Sequence, residues 1–271
     1  MVKVHILTLF PEMFKPLDES ILKRAQQNRV LEFNVVNYRD YAFSKHKNVD
    51  DYPYGGGAGM VLKPEPLYAA LRDLPLTEKP KIIMLTPQGK VFNQKIAREL
   101  ATEQELVFIC GHYEGFDERI RGLADMELSI GDYVLTGGEL ASMVVIDAVA
   151  RLIPGVLGEE MSAVDDSFAQ NLLEYPQYTR PPVFEGMEVP AVLLSGNHAQ
   201  VAAWRRKEAL RRTLVNRPDI FSPSGLEAND FSLLRELMGE DERIKALSPL
   251  WLAFEPPLNE KRRKRRRRDT N

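Results

Sequence analysis

Short apolar segments alternate with amphipathic segments over the first 150 residues, and this alternation constrains the fold more than any other feature of the chain. Residues 82–85 and 106–109 are uninterrupted apolar runs, as is typical of strands buried on both faces of a sheet. Residues 65–74 and 93–102 have the helical spacing of apolar side chains. Crossover units, in which helices connect parallel strands, produce such alternation. The sequence therefore predicts an α/β domain with a parallel sheet and helices on both of its faces.

The residue pattern of the sequence changes after about residue 152, where the alternation of apolar and amphipathic segments ends. Pro154 and Gly155 stop the preceding helix, and residues 158–171 are polar with little periodicity. Asn197 is a candidate N-cap for a helix over residues 198–215. A small, mostly helical second domain is therefore expected, with a further helix at 231–238 and an extended segment at 187–195. In the first part, strands are predicted at 2–8, 31–38, 81–86, 106–110 and 126–130, and helices at 11–27, 65–74, 93–102, 117–123 and 139–152.

Glycine-containing loops follow three of the predicted strands, at residues 86–89, 110–115 and 129–139. The carboxyl ends of parallel strands share one edge of the sheet, where open α/β sheets bind their ligands. Glycine lets the backbone approach a ligand closely because it has no Cβ. The loops predict a pocket for a flat, mostly uncharged ligand such as a nucleoside, although tight connections between elements would use the same residues. The polar candidates around this pocket are Glu114, Asp132, Arg151, Asp165 and Asp166.

A long connection at residues 39–60 combines cations, carboxylates and a glycine cluster. Connections of this length are uncommon unless they are functional or disordered. The glycine cluster at 53–60 is not a phosphate-binding P-loop, since no Gly-Lys-Ser/Thr sequence closes it. We expect this segment to close on a substrate; the alternative is a mobile surface loop.

Several common chemistries are disfavoured by the residue pattern. The four histidines have no zinc-type spacing, and His5 lies in a predicted strand as a core residue, so no protein-bound metal is predicted. Cys110 ends an apolar strand and is expected to be a buried, inert thiol. No Gly-x-Ser-x-Gly elbow is present. The first crossover contains no glycine, which argues against a dinucleotide site and hydride transfer.

The charge is distributed unevenly along the chain. Residues 261–268 are eight consecutive cations, and without residues 261–271 the balance of 28 cations and 38 carboxylates is −10, compared with −3 for the whole chain. A basic tail on an acidic body suggests a polyanionic partner.

The single cysteine fits a reducing compartment. No segment offers the ~20 apolar residues of a membrane span, and no signal-peptide pattern is present, so a cytoplasmic protein is expected.

Six motifs stand out along the chain: LFPEMF (9–14), PYGGGAGM (53–60), CGHYEGFDER (110–119), SIGDYVLTGGE (129–139), IPGVLG (153–158) and LLSGNH (193–198). Together and in this order they resemble the TrmD family, the bacterial tRNA (guanine-N1)-methyltransferases of the SPOUT superfamily. The resemblance covers about residues 1–215 and does not extend to the basic tail.

The resemblance implies an α/β fold of the SPOUT type, a parallel sheet with a deep trefoil knot, joined to a small, mostly helical C-terminal domain. It further implies an antiparallel homodimer that acts in the cytoplasm, without membrane association, on tRNA with guanine at position 37. The implied domains are an S-adenosylmethionine-binding domain with the knot at 1–158, an interdomain linker at 159–172 and a helical tRNA-binding domain at 173–258. The basic tail at 259–271 lies outside the resemblance, and we expect it to be disordered because it has no apolar residue to offset the entropy of ordering.

The resemblance also assigns roles to individual residues. Asp166 matches the general base and Arg151 the residue that supports it, while His46, Asp50, Gly55 and Gly56 match the tRNA-binding loop. The cofactor is S-adenosylmethionine, and a requirement for Mg²⁺ is left open. The matching cofactor-binding residues are Thr86, where the family often has serine, Pro87, Gly111, Tyr113, Glu114, Ile130, Gly131, Asp132, Tyr133, Val134, Leu135, Gly137 and Gly138.

Two other functional classes remain open from the sequence. A methyltransferase of the same fold acting on another RNA site, such as a ribose hydroxyl, would share the cofactor loops. A non-catalytic RNA-binding protein would share the fold but lack affinity for the cofactor.

Overall fold

The computed structural model describes residues 1–77, 79–157, 166–168 and 170–255. The chain separates into two compact units, Met1–Glu160 and Met161–Asn271, and each has its own hydrophobic core. The basic tail and most of the expected linker fall outside the described residues. Within the described part of the chain, no helix combines the length and apolar character needed to cross a membrane.

A five-stranded parallel sheet forms the centre of the first unit, which confirms the predicted α/β class. The strands of this unit are β1 (Val2–Thr8), β2 (Leu31–Asn37), β3 (Asp50–Asp51), β4 (Val61–Leu62), β5 (Lys81–Val91), β6 (Glu105–Ile109) and β7 (Met126–Ser129). The order of the strands in the sheet is β2-β1-β6-β5-β7, and every pairing is parallel. A separate antiparallel pair joins β3 to β4.

Helices cover both faces of this sheet. The α-helices are α1 (Ser20–Gln27), α2 (Pro64–Asp73), α3 (Gln94–Leu100) and α4 (Glu139–Ala150), and 3₁₀ helices lie at Pro11–Asp18, Tyr38–Tyr41 and Glu118–Leu123.

Two predicted helices differ from the structure. The segment 11–27 is not one helix, because Glu19 is extended and Ser20 has a φ of 52°. Pro16 lacks the N–H of a regular helix interior, which accounts for a short 3₁₀ turn before α1. The segment 117–123 is a 3₁₀ helix, begun by Asp117, whose side chain accepts from the N–H of Arg119.

Neighbouring residues of the central strands enter different cores. Ile83 and Phe108 belong to the core beneath α1, α3 and α4, whereas Met84 and Ile109 belong to the core beneath α2. Successive side chains of a strand point to opposite faces, so an uninterrupted apolar run fills both cores. The prediction of strands buried on both faces is confirmed.

His5 is a core residue, as predicted. Its ring is 2% exposed, and its Nε2 lies 3.2 Å from Oε1 of Glu105. The side-chain amide of Asn34 lies 3.0 Å from its Nδ1. Both ring nitrogens therefore have partners inside the sheet.

The second unit is mostly helical. Asn197 caps its longest helix, as predicted, and accepts from the N–H of Gln200 at 3.2 Å. The expected extended segment at 187–195 is wrong in its second half, where Pro190 precedes a short helix. The elements are a hairpin of β8 (Val183–Phe184) and β9 (Met187–Glu188), followed by α5 (Ala191–Leu194), α6 (His198–Asn216), α7 (Ala228–Glu240), α8 (Glu242–Ala246) and α9 (Pro249–Leu252).

Candidate active site

The three glycine-containing loops converge on one cavity of about 450 Å³ at the carboxyl edge of the sheet. The sequence predicted this convergence, and the structure brings the loops together. Of the thirteen residues matched to cofactor binding, Asp132 is the one outside the lining, and its side chain is exposed. The lining consists of residues 85–88, 111–116, 121, 128–131, 133–138 and 141.

The first wall of the cavity is an irregularity in β5. Leu85 and Lys90 both pair with Leu128 of β7, so the intervening residues leave the ladder. The extra residues bring Thr86 and Pro87 to the cavity, as a bulge re-aims side chains at the rim of a sheet. A Cβ on Gly89 would lie 2.5 Å from the backbone nitrogen of Leu128. Any residue with a side chain would therefore clash with β7 at this position.

The second wall is the loop after β6. A Cβ on Gly111 would lie 2.5 Å from the ring of Phe116, so the loop folds directly onto that ring. Tyr113 has a φ of 61°, a left-handed conformation that is uncommon for residues other than glycine. Contacts on both sides of the loop must hold this conformation in place.

The third wall is the loop from β7 into α4. Gly138 donates its N–H to the carbonyl of Gly111 at 2.9 Å, and this hydrogen bond joins the second and third walls. Gly138 and Ala141 bring the first turn of α4 to the cavity. The N-terminus of a helix carries partial positive charge and free N–H groups, so it adds backbone donors at this wall.

Cys110 lies beneath the cavity and is an inert thiol, as predicted. It is fully buried, and its Sγ lies 3.3 Å from Oγ of Ser142. Burial raises the pKa of Cys110 far above the ordinary thiol value. Burial also raises the pKa of Tyr38, whose hydroxyl donates to the carbonyl of Cys110 at 3.3 Å. Neither group is suited to proton transfer near neutral pH.

The cavity also includes residues that sequence reasoning missed. Arg121 lines it from the 3₁₀ helix at Glu118–Leu123, and the hydrogen bond to Glu127 raises the pKa of Arg121. Gln88 and His112 line it as well. Arg121 lay in a segment predicted to be a helix, and no spacing signal separated it from an ordinary surface arginine.

The four residues matched to tRNA binding lie outside the cavity, in the loop that precedes β4. Gly55 and Gly56 have φ values of 88° and 79°, and a Cβ on either would meet open space. Asp50 is half-buried in β3, where it pairs with Leu62, and His46 is exposed. The exposure of His46, Gly55 and Gly56 agrees with a surface loop.

Backbone hydrogen bonds join the end of this loop to the second wall of the cavity. Glu114 donates its N–H to the carbonyl of Met60 at 3.0 Å. Leu62 donates to the carbonyl of Gly115 at 2.9 Å, and Asp117 donates to that of Leu62 at 3.0 Å. The cavity loop and the exposed loop are thus parts of one hydrogen-bonded structure.

Arg151 and Asp166, the two predicted catalytic residues, belong to different units. Arg151 is the C-cap of α4 in the first unit. Asp166 lines a second cavity of about 310 Å³ in the second unit, together with His198 and Arg205. The alternative carboxylate, Asp165, lies outside the described residues. The structure therefore does not test the catalytic roles that the resemblance implies.

No metal centre is found among the residues that the structure describes. In that part of the chain, no three His, Cys, Asp or Glu side chains lie close enough together to hold an ion.

Comparison with known proteins finds one enzyme family that matches most of the chain. The family described as "tRNA (Guanine-1)-methyltransferase TrmD" matches residues 2–223. A tRNA (guanine-N(1)-)-methyltransferase of Desulfitobacterium hafniense is 62% identical over 262 residues, which cover 96% of this chain and 100% of that protein. Proteins of the same name from Dehalococcoides mccartyi and Staphylococcus carnosus are 60% and 58% identical, covering 89% and 86% of this chain and 98% and 96% of their own lengths.

Proposed function

The chain belongs to the TrmD family of tRNA (guanine-N1)-methyltransferases, and we propose that it transfers a methyl group from S-adenosylmethionine to N1 of guanine 37, next to the tRNA anticodon. The observation that carries this proposal is the single cavity formed by the loops after β5, β6 and β7. Its residues include twelve of the thirteen that the family pattern assigns to the cofactor.

The cavity fits S-adenosylmethionine in size and chemistry. Its volume of about 450 Å³ lies in the usual range for small-molecule sites. Backbone groups of residues 86–88, 111–115, 130–131 and 133–138 would hold the nucleoside, and Leu85, Ile130 and Leu135 supply apolar contacts. Glu114 supplies a carboxylate to a ligand that carries positive charge. When bound, S-adenosylmethionine provides an electrophilic methyl group on a sulfonium centre.

The trefoil knot of the SPOUT fold is part of the proposal. Knots are rare in proteins, so the family resemblance rather than general folding rules carries this assignment. The two chain segments that the resemblance matches to the cofactor loops of this fold contact each other at the cavity. The hydrogen bond from Gly138 to Gly111 joins the segment entering α4 to the loop after β6.

We assign the exposed apolar face of α4 and the loop before it to the interface of a homodimer. Leu140 and Val144, one helical turn apart, are each 49% exposed, and Val134 is 86% exposed. Apolar side chains concentrated on one face of a helix are typical of an interaction surface. A second copy of the chain is the occupant that the family resemblance implies.

In the proposed mechanism, Asp166 removes the proton from N1 of the guanine. N1 carries a proton at neutral pH, so it becomes nucleophilic only when a base accepts that proton. The negative charge that develops extends to O6, where the guanidinium of Arg151 would stabilise it. The protein's further contribution is to align the nitrogen with the methyl group, since positioning supplies much of the acceleration in a displacement.

The tRNA is proposed to contact both units of the chain. His46, Asp50, Gly55 and Gly56 would contact the anticodon loop, and the helical unit would bind the rest of the tRNA. The guanine must leave its stack before its N1 can be reached. A tRNA substrate makes the cytoplasm the expected place of action. We assign no residue to Mg²⁺.

The test is transfer of a radiolabelled methyl group to tRNA transcripts that carry guanine or adenine at position 37. Label should enter the guanine transcript and not the adenine transcript, and nucleoside mapping should identify 1-methylguanosine. Label in a ribose would instead support a methyltransferase acting on another RNA site. A protein that binds tRNA but shows no calorimetric signal with S-adenosylmethionine would contradict the proposal entirely.

A further inference from the structure

Hydrogen bonds connect two buried polar side chains, Thr8 and Glu139, to the partly buried His112 beside the cavity. The hydroxyl of Thr8 donates to Oε1 of Glu139 at 2.7 Å. Nε2 of His112 lies 2.9 Å from Oε2 of the same carboxylate, and a carboxylate can only accept, so the imidazole donates. Thr8 is 0% and Glu139 1% exposed. His112 lines the cavity, whereas Thr8 and Glu139 do not.

We propose that Thr8 and Glu139 are positioning residues that set the affinity for S-adenosylmethionine by fixing the loop after β6 through His112. This inference rests on the proposed function of the cavity. It extends the binding machinery to two residues that do not line the cavity.

The first argument is the cost of burying Glu139. A carboxylate withdrawn from water destabilises the protein unless charged or hydrogen-bonding partners surround it. Thr8 lies at the end of β1, His112 in the loop after β6 and Glu139 at the first residue of α4. One carboxylate thus joins three elements at the edge of the sheet where the cavity lies.

The second argument is that the chain of contacts closes on itself. The backbone N–H of Phe10 donates to Oγ1 of Thr8 at 2.9 Å. The ring of Phe10 packs on the imidazole of His112, with ring centroids 4.6 Å apart. His112 is therefore held by Glu139 at one ring nitrogen and by Phe10 at its face, and both partners are tied to Thr8.

The third argument comes from Gly137, which lines the cavity beside this contact. A Cβ added to Gly137 would overlap Nε2 of His112 and Oε2 of Glu139. The hydrogen bond between these two side chains therefore occupies the space in which any other residue would place its Cβ. Because it lacks a Cβ, a glycine at this position leaves room for the contact between the two side chains as well as for the ligand.

The last argument links His112 to the strained part of the loop. Its neighbour Tyr113 has a φ of 61°, and Gly115 donates its N–H to the carbonyl of His112 at 3.2 Å. An anchored His112 therefore holds the residue that precedes the strained Tyr113. It also holds in place the carbonyl that accepts the N–H of Gly115 and closes the turn. Loss of this anchor would let the loop relax away from the geometry that the ligand requires.

The test uses isosteric changes at Thr8, with calorimetric dissociation constants for S-adenosylmethionine and S-adenosylhomocysteine and a melting temperature for each variant. Thr8→Val removes the hydroxyl and should weaken binding of both ligands about tenfold, the order expected for a hydrogen bond to a charged group. Thr8→Ser keeps the hydroxyl and should remain within about threefold of wild type.

Thr213→Val is the matched control. Thr213 is also fully buried; its hydroxyl accepts from Leu173 at 2.8 Å and donates to the carbonyl of Ala209 at 2.7 Å. This change removes two hydrogen bonds, as Thr8→Val does, but from the helical unit. It should lower the melting temperature without changing ligand affinity. Equal affinity in wild type and folded Thr8→Val would overturn the proposal and leave Thr8 a structural role alone.

A double variant tests whether Thr8 acts through His112. If it does, Thr8→Val combined with His112→Ala should bind no more weakly than His112→Ala alone. Additive losses would contradict the proposed route.

Should Thr8→Val fail to fold, Glu139→Gln replaces it, because glutamine keeps the shape of the side chain but presents an amide to His112. Glu139→Gln should weaken binding, and unchanged affinity would again overturn the proposal. A wild-type protein that binds neither ligand would instead contradict the proposed function.

Discussion

Gly138 packs backbone to backbone against Cys110: a Cβ added to Gly138 would lie 3.0 Å from the Cα of Cys110 and 3.0 Å from the nitrogen of Gly111. Gly138→Val should therefore displace the loop after β6 and weaken binding of S-adenosylmethionine sharply, because these backbone atoms cannot move as a side chain can. Gly122→Val is the control, since a Cβ there meets no atom within 4 Å. Calorimetry on both folded variants measures the difference. Unchanged affinity in Gly138→Val would place the cofactor elsewhere.

Asp166→Asn should abolish most of the methyl transfer while leaving cofactor affinity near wild type. The amide keeps the shape of the side chain but cannot accept the proton from guanine N1, and general-base catalysis typically contributes about 10²–10⁴-fold in rate. Single-turnover transfer to tRNA measures the effect. Asp165→Asn is the matched comparison; a loss below about threefold in Asp166→Asn, with a large loss in Asp165→Asn, would move the role to Asp165.

Mixed dimers should show whether one active site draws on two subunits. Asp166→Asn and Gly138→Val are each expected to be inactive, the first through the base and the second through the cofactor site. A mixed dimer would have one site with an intact cavity from one subunit and Asp166 from its partner. The mixed dimer can be purified by giving the two subunits different tags. It should regain methyl transfer, at up to half the activity of wild type, because at most one of its two sites is complete. Absence of any recovery would favour active sites built within single chains.

The ion pair between Arg206 and Asp230 should stabilise the helical unit in a pH-dependent way. Arg206 donates from Nε and Nη2 to the two carboxylate oxygens at 2.9 and 2.8 Å. Burial by itself raises the pKa of Asp230, but the hydrogen bonds from Arg206 and from the N–H of Glu227 outweigh burial, so this pKa is lowered. Asp230→Asn should cost about 2 kcal/mol of unfolding free energy at pH 7.

The sign of the pH effect follows from that lowered pKa. The stabilisation is present above the unfolded-state pKa of about 3.9 and is lost as the pH falls through the lower, folded value. Urea unfolding at pH 7 and pH 3 should therefore show a smaller difference between wild type and Asp230→Asn at the acidic pH. The exposed pair of Arg217 and Asp219 provides the control, and Asp219→Asn should change stability little at either pH. A difference that grows with acidity would contradict this account.

The basic segment 261–268 should contribute to tRNA affinity through charge alone. Each phosphate neutralised adds roughly 0.7–0.9 to the slope of log affinity against log salt. If about four of the eight cations engage, a chain ending at Glu260 should show a slope lower by about three, with weaker binding mainly at low salt. Turnover at saturating tRNA should barely change. Equal slopes for the two chains would leave the segment without a role in RNA binding.

Much of the first unit was predictable because its signals are local. Apolar runs located β5 and β6, and in the second unit Asn197 caps a helix at the predicted place. The glycine-containing loops identified the cavity because the ends of parallel strands must share an edge. The helix predicted at 11–27 was wrong because periodicity alone does not show where Pro16 interrupts the backbone hydrogen bonds.

By itself, then, the amino-acid sequence determined the strands of the central sheet and the longer helices, the loops that meet at the cavity and the family to which the chain belongs. Only the tertiary structure decided that Leu85 and Lys90 both pair with Leu128. It likewise decided that Thr8 and His112 both form hydrogen bonds with the carboxylate of Glu139. Thr8 precedes Glu139 by 131 residues, so no periodic pattern could link them. The physical reason is that a buried carboxylate must find its partners in space, and the sheet brings them together only when folded.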